Sequence, residues 1–193
     1  FAEYVVVPDT QVHKVPDNVS DREAAYLEPI AASLGVIKPN AFNMKKTMIW
    51  GDNRIAKLTQ RIIMCKETKT NVIIHSEKDP PLADTYDVAI ETICNEESMA
   101  QLVSAIKAKG TLILKSRPVS NVGMPIIDIV RKEIQLQGAY YGDFEEGINL
   151  LGHKLITIED LFGQTLSLEA AIPIITGQVS ISEDKKIFIQ PGT

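Results

Sequence analysis

Residues 47 to 77, TMIWGDNRIAKLTQRIIMCKETKTNVIIHSE, set a glycine, an acid, an amide and a base side by side, Gly51, Asp52, Asn53 and Arg54, between an apolar run and an amphipathic segment. The chemistry open to that spacing is anion binding. Where a strand turns into a helix, free N–H groups and the helix dipole can hold a diphosphate, and glycines let it approach the backbone. The glycine pattern G-x-G-x-x-G becomes Gly51-Asp52-Asn53-Arg54-Ile55-Ala56, which keeps the first glycine, puts Asn53 at the second and a tolerated alanine at the third. Asn53 can adopt a left-handed backbone conformation, but its side chain fills space a phosphate would use. Asp52 carries the wrong charge: a carboxylate ~6 Å from a phosphate, at an effective dielectric of ~20, is repelled by about 2 to 3 kcal/mol, roughly a hundredfold in affinity unless Arg54 compensates. Two readings stand: a loop that holds a dinucleotide through Gly51, Asn53, Arg54 and Ile55, and one that has lost most of that affinity.

The flanking pattern supplies what such a turn needs. Thr47-Met48-Ile49-Trp50 is the short apolar run of a buried parallel strand. Ile55, Leu58 and Ile62 fall on one helical face, widened by Ile63, and Val72-Ile73-Ile74 makes a second strand. Only nine residues, Glu77 to Thr85, then precede the apolar run 86–92, and Pro80-Pro81 bars a helix between them. Nine extended residues reach roughly 30 Å, enough to carry the chain to the far side of the first strand. A βα unit is therefore missing from the half-sheet. Beyond it the pattern predicts a helix over 96–109 ended by Gly110, a strand over 111–115, a helix over 126–132, a strand over 134–139 and a helix over 144–153. Asp143, Glu145 and Glu146 read as acids favouring that last helix start. A helix capped by Ser167 should run to about Ile172, before Pro173, and Val179 to Ile189 should form a terminal hairpin.

Upstream, residues 1 to 16 suggest two short strands. Ser20-Asp21-Arg22-Glu23 is a capping box launching a helix over 23–27, with a break at Glu28-Pro29 and a second helical piece from Ile30 to Lys38, ended by Pro39-Asn40. Phe1 to Val7 opens as a strand with no lead-in, so it is expected to pair with the C-terminal hairpin and to belong to a longer chain.

Composition sets the bounds. With 193 residues, 45% hydrophobic and 23% charged, the chain suits an ordinary globular core. Net charge is −5 and the basic residues are scattered along the chain, which argues against a nucleic-acid partner; no apolar run suits a membrane span. Cys65 and Cys94 lack C-x-x-C spacing and read as buried fillers in a reducing, cytoplasmic compartment. His13, His75 and His153 are too far apart to suggest a metal trio, and neither a G-x-S-x-G elbow nor a Walker loop is present.

In order along nearly the whole chain, several phrases resemble the medium-chain, zinc-type alcohol and polyol dehydrogenases: 1–8, Lys14 to Ser20, Ala24 to Ala31 with its Glu28-Pro29 dipeptide, the 47–77 unit, Asp87 to Glu91, Lys109 to Leu114, 125–138 and 177–191. The resemblance implies an open, doubly wound, mostly parallel Rossmann-like α/β sheet reduced by one βα unit, with a small β patch from the chain ends. Residues 1–35 and 175–193 would be the remnant of a catalytic, chaperonin-10-like domain, and 36–174 the nucleotide-binding domain. The family's zinc is held by a cysteine and a histidine–glutamate pair in a part not present here. Glu28 stands where the family has one further zinc-site residue, and a single carboxylate cannot hold zinc, so no zinc is expected in this chain.

The implied cofactor is NAD or NADP. An acid at the end of the second strand reads the ribose hydroxyls of NAD, whereas small and basic residues suit the 2′-phosphate; Ser76 suggests NADP and Glu77 suggests NAD. Thr92 and Ser116, with Ile93 and Arg117, would border the nicotinamide. The resemblance also implies a homodimer paired through the 134–139 strand. The expected function is the nucleotide platform of an alcohol or polyol dehydrogenase, with no catalytic residue and little or no turnover from this chain alone. The alternative is a non-catalytic remnant serving as a binding or assembly module.

Overall fold

The computed structural model describes every residue except 1, 3, 38–41, 68, 181, 183 and 191–193. Ser20 caps α1 (Asp21–Ala24): its hydroxyl accepts from the Glu23 amide while the Glu23 carboxylate accepts from the Ser20 amide. Next come α2 (Leu27–Leu34), β1 (Lys46–Trp50), α3 (Arg54–Lys66), β2 (Asn71–His75), β3 (Tyr86–Glu91), α4 (Glu96–Ala105), β4 (Ile106–Leu114), α5 (Ile126–Arg131), β5 (Gln135–Gly138) and α6 (Phe144–Gly152). The chain ends through β6 (Phe162–Ser167), α7 (Leu168–Ile175) and β7 (Lys186–Gln190).

Five strands form one parallel sheet in the order β2-β1-β3-β4-β5, and β6 and β7 form a separate parallel pair. The 77–85 loop thus carries the chain from β2 across β1 to its far side, and the expected reduced, doubly wound α/β architecture holds. Alternation along the strands divides the core. Met48, Trp50, Ala89 and Leu112 face Met99, Leu102 and Val103 of α4, whereas Ile49, Val88, Ile90 and Ile113 face Ala56 and Ile63 of α3. A third cluster packs Ile30 and Leu34 of α2 against Leu58 and Ile62 of α3 and Leu150 and Leu151 of α6. Each such fully buried side chain contributes about 2 kcal/mol of transfer free energy.

Several local expectations need correction. The described part of 1–16 forms no strand; Tyr4, Val5 and Val6 are exposed, and a 3-10 turn occupies Asp9–Gln11. Pro29 does not break the helix, because it sits in the first turn of α2, where its missing N–H is not needed; the break falls at 25–26. Pro173 likewise lies inside α7, whose short length leaves little ladder for it to disrupt. The α4 helix stops at Ala105, five residues before Gly110, because Ile106 already pairs with Tyr86. No hairpin closes the described C-terminal residues: β7 pairs with β6, a strand the apolar pattern did not reveal, since Phe162-Gly163-Gln164-Thr165 does not alternate. Lys38, Pro39, Asn40 and Ile181 lie outside the described residues.

Candidate functional site

At the carboxyl end of β1 the chain turns at Gly51, whose φ of +125° and crowded surroundings both demand glycine: a Cβ there would stand 2.5 Å from Thr92 Oγ1 and 2.8 Å from Asn53 Nδ2. Thr92 anchors the turn, donating to the Trp50 carbonyl from its hydroxyl at 2.7 Å and from its amide at 3.1 Å. Asn53 is extended (φ −141°, ψ 168°), not left-handed, and 5% exposed. Its Oδ1 accepts from the amides of Ile55 and Ala56, both at 2.9 Å, and its Nδ2 donates to Thr92 Oγ1 at 3.1 Å. Asn53 is thus the N-cap of α3, and it occupies the amides on which a diphosphate would rest. Arg54, the first residue of α3, follows the cap; Asp52 is exposed and lies 3.8 Å from Lys57.

A crevice of about 440 Å³ opens beside this turn, at the carboxyl ends of β1 and β2. Gly51, Asn53, Ser76 and Glu77 line it together, with Trp50 and Ile93 as apolar walls. Ser76 and Glu77 belong to a tight turn in which the Asp79 amide donates to the Ser76 carbonyl at 3.0 Å. Ser182 and Asp184, which sequence reasoning did not single out, close the crevice from the C-terminal segment; the Ser182 hydroxyl donates to Asp184 Oδ2 at 2.9 Å. Three carboxylates, Asp52, Glu77 and Asp184, therefore face one lysine, Lys78, in its lining.

The other half of the sheet end is built differently. Thr92 is turned back to β1, and Ser116 stands with Cys94, Oγ to Sγ 3.4 Å, outside the crevice lining. Burial, with the Ser116 contact opposing it and the Glu91 charge adding to it, pushes the Cys94 thiol up. Beneath them two charged residues stand at the carboxyl ends of neighbouring strands, Glu91 as the last residue of β3 and Lys115 just after β4. Glu91 is 1% exposed; its Oε2 accepts from the amides of Lys115 and Ser116, both at 3.2 Å, and its Oε1 has no hydrogen-bond partner among the described residues. Lys115, 9% exposed, donates from Nζ to the Ala32 carbonyl at 2.8 Å. Burial foremost, then the Arg117 charge, pushes its ammonium down to about 8. At the surface, Tyr141 donates to Glu28 Oε1 at 2.6 Å, and Arg117 lies over the Tyr140 and Tyr141 rings at 5.0 and 5.4 Å. Glu91, Lys115 and Tyr141 escaped sequence reasoning; a charge directly after each of the apolar runs 88–90 and 112–114 was the available signal.

The three histidines lie apart: His13 stacks on Phe144, His75 meets Tyr86 and His153 meets the Asn149 carbonyl. Among the described residues no three His, Cys, Asp or Glu side chains group to hold a metal ion. Asp143 caps α6, accepting from the Glu145 amide at 2.9 Å.

Fold and crevice together define an α/β protein of the dinucleotide-fold type. No family model matches the chain. Its sequence is similar to D-xylulose reductase A of Aspergillus oryzae, 20% identical over 206 residues, 89% of this chain and 58% of that protein. Human sorbitol dehydrogenase is also 20% identical, over 83% of this chain and 54% of its own length. Among solved structures, a putative zinc-binding dehydrogenase from Sinorhizobium meliloti bound to NADP superposes with a TM-score of 0.82 at 18% identity, covering 98% of this chain and 65% of that one. The resemblance to medium-chain alcohol and polyol dehydrogenases therefore runs through both sequence and fold. This chain spans little more than half the length of the curated relatives it matches.

The residues fit a dinucleotide in part. A nucleoside would meet Ser76, Glu77 and Trp50 in the crevice, but a diphosphate at the turn would first have to displace Asn53 from two amides.

Proposed function

We propose that this chain is the nucleotide-binding part of a protein built like the NAD(P)-dependent alcohol and polyol dehydrogenases, and that its crevice takes the adenosine end of NAD or NADP weakly. The observation that carries this reading is the crevice at the carboxyl ends of parallel strands, beside the glycine turn, where a doubly wound sheet receives nucleotides. Gly51, Asn53, Arg54 and Ile55 would stand at the diphosphate, and Ser76 and Glu77 at the ribose. Thr92 supports the turn, and Ser116 lies toward the nicotinamide half. A bound nicotinamide would supply the hydride chemistry; this chain's residues bind and orient it, and turnover from this chain alone is expected to be slight or nil. No zinc is assigned to it.

Residues 1–35 and 175–193 are assigned to a returning catalytic domain and 36–174 to the nucleotide domain. A homodimer through the β5 edge is supported by the exposed apolar side chains of Ile126, Ile127, Val130 and Leu136 around that strand. Two free cysteines suit a cytoplasmic setting; no described helix is long and apolar enough to cross a membrane.

Trp50 is the only tryptophan and lines the crevice, so NADH or NADPH should quench its emission. A titration to millimolar cofactor without change would sink the nucleotide reading. The Asn53 cap and the three carboxylates favour a second reading, a non-catalytic remnant of the fold acting as a binding or assembly module, and that null titration is its expected result.

A further inference from the structure

Away from the crevice, at the amino ends of the strands, two hollows of about 290 and 430 Å³ share Met44 and Lys45 as a wall. Lys107 and Lys109 line the first, and Lys46 and Lys69 the second. Basic residues scattered along the sequence are here gathered by the fold: five of the chain's 20 lysines and arginines meet at one end of a molecule of net charge −5. Among the described residues Asp87 is the one acid in either lining. Five lysines less one carboxylate leave four positive charges.

The local backbone is shaped to make this cluster. Between the pairs Tyr86↔Ile106 and Val88↔Thr111, β3 advances two residues while β4 advances five, so three extra residues bulge from the sheet and carry Lys107 and Lys109 to the rim. Gly110 lets the bulge lie against β3, since a Cβ there would stand 2.9 Å from the Asp87 carbonyl oxygen. Lys109 (φ +63°) and Met44 (φ +56°) both hold left-handed conformations, which a non-glycine residue seldom adopts. The carboxylate of Asp87 is already engaged, accepting from Lys107 Nζ and from the Lys46 amide, both at 2.8 Å. Burial raises its proton affinity, but those bonds and the charges of Lys107 and Lys45 outweigh burial and hold it below the ordinary carboxylate range. Lys46 lies over the Tyr86 ring at 5.0 Å, while Lys45, Lys69 and Lys109 form no salt bridge among the described residues.

We propose that this end of the sheet is a binding site for a compact multivalent anion of the phosphate class, a diphosphate or phosphate ester, held at Lys45 between the pairs Lys107/Lys109 and Lys46/Lys69. Lysine binds phosphate as a point charge and needs no planar fork, so several flexible ammonium groups around a small hollow suit a rounded anion. The crevice, with three acids to one lysine, is the poorer anion site of the two.

Isothermal titration of the whole chain with inorganic pyrophosphate, at ionic strength held constant with sodium chloride, tests the site. Saturable one-site binding is expected, with affinity falling as salt rises. The double substitution Lys45→Gln/Lys109→Gln should weaken it at least tenfold, with unchanged circular dichroism and an unchanged Trp50 response to NADH. The control pair Lys14→Gln/Lys185→Gln, exposed lysines outside the hollows, should bind as the parent does. Three results would overturn the site: heats no larger than those of matched sodium chloride, equal losses in both double variants, or a short single-stranded oligonucleotide outcompeting pyrophosphate. The readout does not depend on the crevice, so failure here and failure of the nucleotide reading are separate events.

Discussion

Asn53 can be tested as a gate by changing it to glycine, which restores the second glycine of the loop. In the folded protein the substitution removes two cap bonds to the Ile55 and Ala56 amides and one bond to Thr92. Replacing an Asn cap by glycine costs a few tenths of a kcal/mol, the lost side-chain bond about 1 kcal/mol, and the freer unfolded chain about 0.5 to 1 kcal/mol. The sum, about 2 kcal/mol, should lower Tm by about 4 to 8 °C in a chain of this size. Against that loss, a diphosphate no longer has to displace two satisfied amides. With the cap worth a few tenths of a kcal/mol and the Thr92 bond that holds Asn53 in place about 1 kcal/mol, the gain in dinucleotide affinity is about 1 to 1.5 kcal/mol, or roughly 5- to 13-fold. Trp50 quenching by NADH measures the affinity, and differential scanning calorimetry measures the Tm. A folded Asn53→Gly protein with the expected fall in Tm but no tighter NADH binding would refute the gate. The companion change Asp52→Ser should add to the gain in affinity, by less than the 2 to 3 kcal/mol of an unscreened carboxylate, because Lys57 lies 3.8 Å from it.

Lys115, with its ammonium held down near 8, binds fewer protons folded than unfolded between about pH 8 and 10.5, so stability should rise with pH across that window. Integrated, the shift is worth about 3 kcal/mol, and Lys115→Met should flatten the urea-denaturation profile between those pH values and raise stability at pH 7. Glu23 behaves oppositely: hydrogen bonds from Lys154 and then Ser20 hold its carboxyl down to about 2, so its contribution is present above about pH 4.5 and is lost as pH falls toward 2. Acid unfolding of Glu23→Gln should begin from a lower stability and show a shallower dependence in that range. If the β5 edge is a dimer face, Ile127→Asp should shift light-scattering mass from dimer to monomer without changing circular dichroism, whereas a parent that is monomeric at high concentration would remove the proposal.

What the sequence made legible was local and periodic. Strand β1, the α3 stripe of Leu58 and Ile62 and the capping box at Ser20 each depend on neighbours a few residues away, and each is found where the pattern placed it. The taut 77–85 loop even fixed a strand order, because chain length limits reach regardless of side chains. The misses share the opposite property. Strand β6 is held by β7 about 20 residues later, the α4 boundary by pairing of Ile106 with Tyr86, and the crevice wall at Ser182 and Asp184 by the return of the C-terminal segment. A proline near a helix start was misread for a related reason: whether its missing N–H matters depends on where the turn begins, and that is set at Tyr26, whose hydroxyl donates to the Leu161 carbonyl 135 residues away.

The turn at residues 51–56 shows how one side chain can support the fold and fill a helix N-terminus at once. The free amides of a helix N-terminus are costly to leave unpaired, so a phosphate loop carries a standing demand for an acceptor, which a bound ligand ordinarily meets. Asn53 meets that demand from within the chain and ties its own amide to Thr92, so α3 no longer depends on a ligand for its first turn. Stability and affinity are thereby set against each other at a single side chain. The same opposition explains why Gly51 stays essential even if no dinucleotide binds: its missing Cβ now makes room for Thr92 and the Asn53 amide group. A glycine read from sequence as a phosphate contact is, in the folded chain, first a packing requirement. Gly51→Ala should therefore destabilise the protein with or without cofactor present, and a Gly51→Ala protein as stable as the parent in the absence of dinucleotide would show that the self-capped turn is not the ground state of this chain.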